Sequence, residues 1–202
     1  MGISTRFRIR TKLMLSALAF IVPIGTMAGL IVQGYTYDIR FSTLEQYGNR
    51  IIAPLMEIAA TAVLSAGADG AATGPTATEA EQRADRAAEQ LRAAHQSVGE
   101  DLQFTPAGLA LRGRDTLMPP AVITRWEAVK RLTGTARVDA TAEFFADVTE
   151  MIVHAGDTSN LILDPDLDSY YLMDVTLLGV PALLTGIYSA ASTSALSATD
   201  AA

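Results

Sequence analysis

The chain has 202 residues, a formal net charge of −7 and no cysteine, which excludes disulfide bonds, thiolate metal sites and cysteine nucleophiles. Half of its residues are hydrophobic but only 6% are aromatic, and the abundance of alanine favours an all-α protein over a sheet protein. The first acidic residue is Asp38, so the long remainder is acidic and gives no reason to expect a nucleic-acid partner.

The N-terminal part of the sequence is typical of a membrane anchor. Residues 1–12 are basic, and residues 13–32 form an uncharged apolar segment that would span about 30 Å as a helix. A cleavable signal peptide is the alternative, but its apolar region is shorter, about 7–15 residues, and ends in a small-residue cleavage site that is not found here. Because basic flanks stay in the cytoplasm, we expect residues 33–202 to lie in the periplasm, outside the inner membrane.

Two long helices are predicted after the anchor. The first covers residues 44–65 and is ended by the glycine-rich residues 66–78. Its predicted buried face contains Leu44, Tyr47, Ile51, Leu55, Ile58 and Ala62. The second begins near Thr78, whose hydroxyl is suited to cap it. Its face is a seam of mostly small residues at spacings of three and four: Ala80, Ala84, Ala87, Leu91, Ala94 and Val98.

Three further helices follow a glycine- and proline-containing stretch that is predicted to be a loop region. They cover residues 121–132, residues 141–163, and a segment that starts at the Asp164–Pro165 N-cap pair and ends near Val180. Together these elements predict an extended up-and-down helical bundle. After Pro181 the sequence is small and polar, without the apolar run that a second membrane crossing needs, so we expect the bundle to be incomplete at its C-terminus.

Two groups of residues are candidates for ligand binding. Arg125 and Trp126 are adjacent, and a guanidinium group binds carboxylates while an indole ring supplies a flat apolar wall. Tyr170, Tyr171 and Asp174 form the second group. The alternative for both groups is structural, because a lone tryptophan in a helix is typically a core residue and tyrosines can pack at the edge of a bundle.

Metal binding is not predicted. Asp164, Asp166 and Asp168 alternate like the first three ligands of a calcium loop. However, Ser169 and Val175 occupy the places of the glycine and of the closing glutamate that such a loop requires. Helix capping is therefore the better explanation for these aspartates.

No catalytic group of residues is visible either. The two histidines, His95 and His154, lack the neighbours of a zinc site or of a catalytic triad. There is also no phosphate-binding loop, dinucleotide fingerprint or nucleophile elbow. We therefore expect no catalytic residue, no cofactor and no enzyme activity in this chain.

One string of residues resembles a known family. The sequence GDTSNLILDPDLDSYYLMD, residues 156–174, is similar to a string in the sensor region of bacterial methyl-accepting chemotaxis proteins, and to strings in some membrane-bound sensor histidine kinases. The basic N-terminus, the membrane helix and the helical outer part strengthen the resemblance. The residues that carry it include Asp157, Asn160, Asp164, Pro165, Asp166 and Asp168.

The resemblance implies a periplasmic sensor domain that forms a homodimer, detects a small molecule or a binding protein, and passes the signal across the inner membrane to a chemotaxis output. Two alternatives stay open. One is the sensor region of a membrane histidine kinase or of a diguanylate cyclase, and the other is an anchored interaction protein that does not signal. Any output catalysis would lie in a C-terminal part beyond this sequence or in a partner kinase.

Overall fold

A computed structural model of the chain describes residues 9–67, 77–163, 171 and 173–200. Every regular element in these residues is helical, and they contain no strand, which confirms the predicted all-α class. The chain divides into two units, Met1–Ser42 and Thr43–Ala202.

The first unit consists of the N-terminal part of helix α1, which begins at Ile9 and ends at Gly67. Its large apolar side chains are exposed: Leu13, Phe20 and Leu30 each have about two thirds of their surface accessible. The helix continues through Pro23. Such a surface has no partner within the described residues and would be stable in hydrocarbon, so the long apolar helix expected over residues 13–32 is present.

The second unit is a helical bundle to which the C-terminal part of α1 contributes. The predicted inner face of that part is buried at Ile51, Leu55, Ile58 and Ala62. Helix α2, Ala77–Val98, buries its small-residue seam in full: Ala80, Ala84, Ala87, Leu91, Ala94 and Val98. Alanine lets the backbone of a helix approach its neighbours closely, but each alanine buries little apolar area.

The loop region between the second and third predicted helices contains a short helix that sequence analysis missed. Helix α3 covers Pro106–Ala110, and the hydroxyl of Thr105 accepts a hydrogen bond of 3.1 Å from the backbone N–H of Gly108. Thr105 and Pro106 are thus an N-cap and a first helical residue. Helix α4 follows at Pro119–Val129, with two prolines in its first turn. The predicted range of residues 121–132 therefore began two residues late and ended three residues late.

Helix α5 covers Gly134–Thr158, so the predicted range of residues 141–163 was wrong at both ends. Asn160 has a φ of 64°, and a left-handed asparagine just after a helix commonly ends it. A 3₁₀ turn at Leu161–Leu163 follows. Residues at spacings of three and four along this segment form its inner face: Phe145, Val148, Ile152, Ala155 and Ser159 are buried, and Ile162 is partly buried.

A π-helical turn, Val175–Gly179, leads directly into helix α6, Val180–Asp200. The predicted end near Val180 was therefore wrong, because Pro181 lies in the first turn of α6, where a missing backbone N–H is tolerated. The predicted helix start at Asp164 and Pro165 lies outside the described residues. Helix α6 and the π turn both pack against α5.

Two helices in the described residues are long and apolar enough to cross a membrane by length and composition, within Ile9–Leu64 and within Val175–Thr193. The second was not predicted, because the apolar run begins before Pro181. One side of this second helix buries Leu177 and Tyr188, whereas its other side exposes Leu183. A helix with one buried side also fits the core of a bundle.

Gly48 lies at a close approach of α1 to the segment that follows α5. A methyl group added at this glycine would overlap the hydroxyl of Ser159 and would lie 2.8 Å from the Cδ1 atom of Leu161. Ser159 is fully buried, so it has little room to move. The glycine therefore lets the two segments touch.

Replacing Gly48 with alanine is expected to lower the free energy of unfolding by about 1–3 kcal/mol, because the added methyl group overpacks this contact. Urea unfolding of the full chain in detergent micelles, followed by the fluorescence of Trp126, measures the change. Gly186→Ala is the matched control, since nothing lies within 4 Å of the added methyl group there. It should raise the free energy of unfolding by up to about 1 kcal/mol through helix propensity. Equal effects of the two substitutions would contradict the packing argument.

Candidate functional site

The candidate pair Arg125 and Trp126 lies on α4, and the structure directs its two side chains to different environments. Arg125 forms an ion pair with Asp147 on α5, at the partly exposed surface. Trp126 is 1% exposed and packs in the core against Phe144, with ring centroids 5.4 Å apart. Within the described residues the two side chains do not form one open site, and the indole ring acts as a core anchor.

The indole N–H of Trp126 is buried and has no hydrogen-bond partner in the described residues. A buried donor without a partner costs about 1–3 kcal/mol. Trp126 therefore stabilises the fold through the apolar area that its rings bury, and no hydrogen bond of its indole N–H contributes within the described residues.

The second candidate group falls at the edge of the described residues. Tyr171 is 62% exposed and Asp174 is also exposed, whereas Tyr170 lies outside the described residues. Asp174 lines a mostly apolar cavity of about 80 Å³ together with Ile162, Met173, Leu177 and Leu178. This volume is well below the several hundred Å³ of a typical ligand pocket, so the cavity suits no more than a very small molecule.

The string that carries the family resemblance is divided in the same way. Asp157 and Asn160 are described, and Asp157 accepts a hydrogen bond of 2.9 Å from the guanidinium of Arg114. Asp164, Pro165, Asp166 and Asp168 lie outside the described residues. The described start of the string thus has a structural role at the end of α5.

A buried polar cluster surrounds His154, which sequence analysis set aside. The side chain is 0% exposed. Its Nε2 atom lies 3.1 Å from the carbonyl oxygen of Leu102, and its Nδ1 atom lies 3.4 Å from a guanidinium nitrogen of Arg114. The ring also packs against Phe104, with centroids 4.5 Å apart. His154 therefore joins α5 to the turn between α2 and α3, residues 99–105, and to Arg114.

The surroundings of His154 disfavour its charged form. Burial lowers the pKa of the imidazole below its ordinary value of 6.5, and the nearby cations Arg114 and Arg112 lower it further, against a smaller opposing effect of the hydrogen bond to Leu102. Burial also lowers the pKa of His95. At neutral pH the ring of His154 is therefore neutral.

Two open grooves lie beside α2 and share Arg86. One is about 320 Å³ and lies between α2 and α1; the other is about 350 Å³ and lies between α2 and α4. Arg83 forms an ion pair of 2.7 Å with Glu57 in the first groove. Arg86 forms no ion pair within the described residues, so its guanidinium is available to an anion.

Sequence analysis missed the residues around His154 and Arg86 for different reasons. The partners of His154 are 52 and 40 positions away in the sequence, so no local spacing could reveal them. Arg86 could not be singled out from the sequence, because α2 contains other arginines and several acidic residues. No group of three or more potential metal-ligating side chains is found in the part of the chain that the structure describes.

The substitution Trp126→Phe is expected to lower the free energy of unfolding by about 2 kcal/mol or less, because it removes volume but no hydrogen bond. Trp126→Ala should cost about 3–5 kcal/mol, since it leaves a larger cavity. Urea unfolding followed by far-ultraviolet circular dichroism compares the two. If phenylalanine costs as much as alanine, the indole N–H makes an interaction that the packing argument omits.

No family model, curated protein or solved structure matches the chain.

Proposed function

We propose that this chain is the sensor region of a bacterial transmembrane chemotaxis receptor, anchored in the inner membrane by α1 and carrying its second unit in the periplasm. The observation that carries the proposal is the exposed apolar surface of α1, where residues such as Phe20 and Leu30 remain accessible along the helix. A helical bundle follows it in the chain. The string at residues 156–174 supplies the link to receptors.

The orientation in this proposal follows from charge. Residues 1–12 contain Arg6, Arg8, Arg10 and Lys12 and no acidic residue. Cationic segments next to a membrane helix are retained in the cytoplasm. The acidic remainder of the chain is then exported, which is compatible with a periplasmic domain.

A small-molecule signal would need a polar group that is not already paired. Arg125 is bound to Asp147, whereas Arg86 forms no ion pair within the described residues and lines both grooves beside α2. The groove between α2 and α1, about 320 Å³, suits an anion better, because the groove between α2 and α4 also carries the carboxylates of Asp85, Glu89 and Glu127. A carboxylate or another small anion is the ligand class that suits a guanidinium group.

A second candidate function is favoured by the outer face of α6. Leu183 and Ile187 are exposed there, as is Val175 in the preceding π turn, and no charged residue lies between Asp174 and Asp200. Exposed apolar patches commonly mark interaction surfaces. An anchored protein that binds another membrane protein, without signalling, would use such a face.

Cysteine labelling tests the proposed topology, since the natural chain has no cysteine. In intact spheroplasts, a membrane-impermeant maleimide should react with Asp115→Cys, which is exposed in the second unit. Ser4→Cys should react only after the membrane is permeabilised, because the basic N-terminus is cytoplasmic. Reaction of Ser4→Cys from outside would overturn the proposed orientation.

The intact mass of the protein extracted from membranes is the control for cleavage. An uncleaved anchor gives the mass of the full chain, whereas a signal peptide gives a mass reduced by the N-terminal segment.

The output is tested at the level of the gene. We expect the reading frame past codon 202 to encode a second apolar span and a long helical signalling hairpin. A histidine kinase or cyclase domain there would mean that the chain is the sensor region of that enzyme and not of a chemotaxis receptor. A frame with neither would favour the anchored interaction protein.

A further inference from the structure

We propose that His154 is a proton-binding site whose protonation releases the turn at residues 99–105 from α5, so that acid pH is a signal to which the second unit responds. The proposal concerns contacts within this unit and does not depend on the receptor function or on the membrane topology. Its basis is a buried histidine whose two ring nitrogens contact different elements.

The partners of the ring fix its protonation state at neutral pH. The carbonyl oxygen of Leu102 can only accept a hydrogen bond, so Nε2 must carry the proton and donate it across 3.1 Å. The guanidinium of Arg114 can only donate, so Nδ1, 3.4 Å away, must be the acceptor. A neutral imidazole satisfies both partners.

Protonation would break this arrangement. A proton on Nδ1 turns an acceptor into a donor that faces another donor, and it places two positive charges in contact at Arg114. The ring is 0% exposed, so water cannot solvate the new charge. The outcome with the lower free energy is opening of the contact, which brings the ring into water.

The charged groups around the ring reinforce this effect. Arg112 and Arg114 are the charges that act on His154, and both oppose protonation. Arg114 is itself paired with two carboxylates of α5: Asp157 binds its guanidinium at 2.9 Å, and Glu150 lies 3.8 Å from its Nε atom. These acids hold the arginine in place beside the ring. The turn contributes the backbone of Leu102 and Gln103 and the ring of Phe104 to the contact, and it also carries the exposed carboxylates of Glu100 and Asp101.

The contact lies close to the segment that touches α1. The carbonyl oxygen of His154 accepts a hydrogen bond of 2.8 Å from the hydroxyl of Thr158. Ser159, the next residue, lies against Gly48. Opening at His154 would therefore loosen the last turn of α5 and its contact with α1 together.

The direction of the pH effect follows from linkage. Folding lowers the pKa of His154 below 6.5, so the unfolded chain binds more protons between the folded and unfolded pKa values. The stabilising effect of neutral His154 is complete above the unfolded pKa. It is lost progressively as the pH falls through 6.5 to the folded pKa, below which the loss is constant.

The first experiment measures the proton site directly in the full chain in detergent micelles. The chain has only two histidines, so in the His95→Gln variant the remaining imidazole signal in a nuclear magnetic resonance titration belongs to His154. We expect its pKa to lie below 6.5. A pKa at or above this value would overturn the proposal, whatever the other variants do.

The second experiment tests whether titration opens the contact. Spin labels at Asp101→Cys in the turn and Ala146→Cys on α5 are both on exposed positions. Double electron–electron resonance should show a longer and broader distance distribution at about pH 5 than at about pH 7.5, because this range includes the titration of histidine. His154→Gln keeps a donor for the Leu102 carbonyl but cannot titrate, so its distribution should not change.

Urea unfolding at the same two pH values separates His154 from His95. The urea midpoint of the natural chain should fall on acidification, and His154→Gln should retain less than half of that fall. His95→Gln should retain most of it, because burial lowers the pKa of His95, whereas burial and the charge of Arg114 together lower the pKa of His154. An equal fall in the natural chain and in His154→Gln, or an acid-induced distance change in that variant, would overturn the proposal.

Discussion

The packing of the second unit depends on the buried face of α5, which the other elements contact. Phe144 packs against Trp126 of α4, and Phe145 packs against Tyr188 of α6, with ring centroids 5.4 and 5.3 Å apart. About two and a half turns further along, His154 packs against Phe104 of the turn. Each of these three rings on α5 thus meets an aromatic ring from a different element. A change in the position of α5 would disturb all three contacts at once.

The helical class and the inner faces of the long helices could be predicted because they depend on local spacing. Residues at intervals of three and four must share a face of a helix, whatever their partners are. The end of α5 could not be predicted from apolar residues alone, because Ile162 continues the pattern after Asn160 has left the helix. The start of α3 was available in principle, since Thr105–Pro106 is the same type of cap-and-proline pair as Asp164–Pro165.

The candidate site was less predictable because its residues meet only after folding. Arg125 and Trp126 are adjacent in sequence, yet successive residues on a helix point about 100° apart, which separated the surface ion pair from the core ring. His154 had no polar neighbour in the sequence that suggested its contacts. Its two hydrogen-bonding partners come from the turn after α2 and from the segment before α4. Neither contact follows from helical periodicity.

The alanine seam of α2 has a consequence for the temperature dependence of stability. The heat-capacity change of unfolding is proportional mainly to the apolar area that becomes exposed, at about 0.45 cal/mol/K per Å². A face built from Ala80, Ala84, Ala87 and Ala94 is buried but contributes little area per residue. Unfolding of this helix therefore adds less heat capacity than unfolding of a leucine-rich helix of equal length. Its contribution to the free energy of unfolding consequently changes less steeply with temperature.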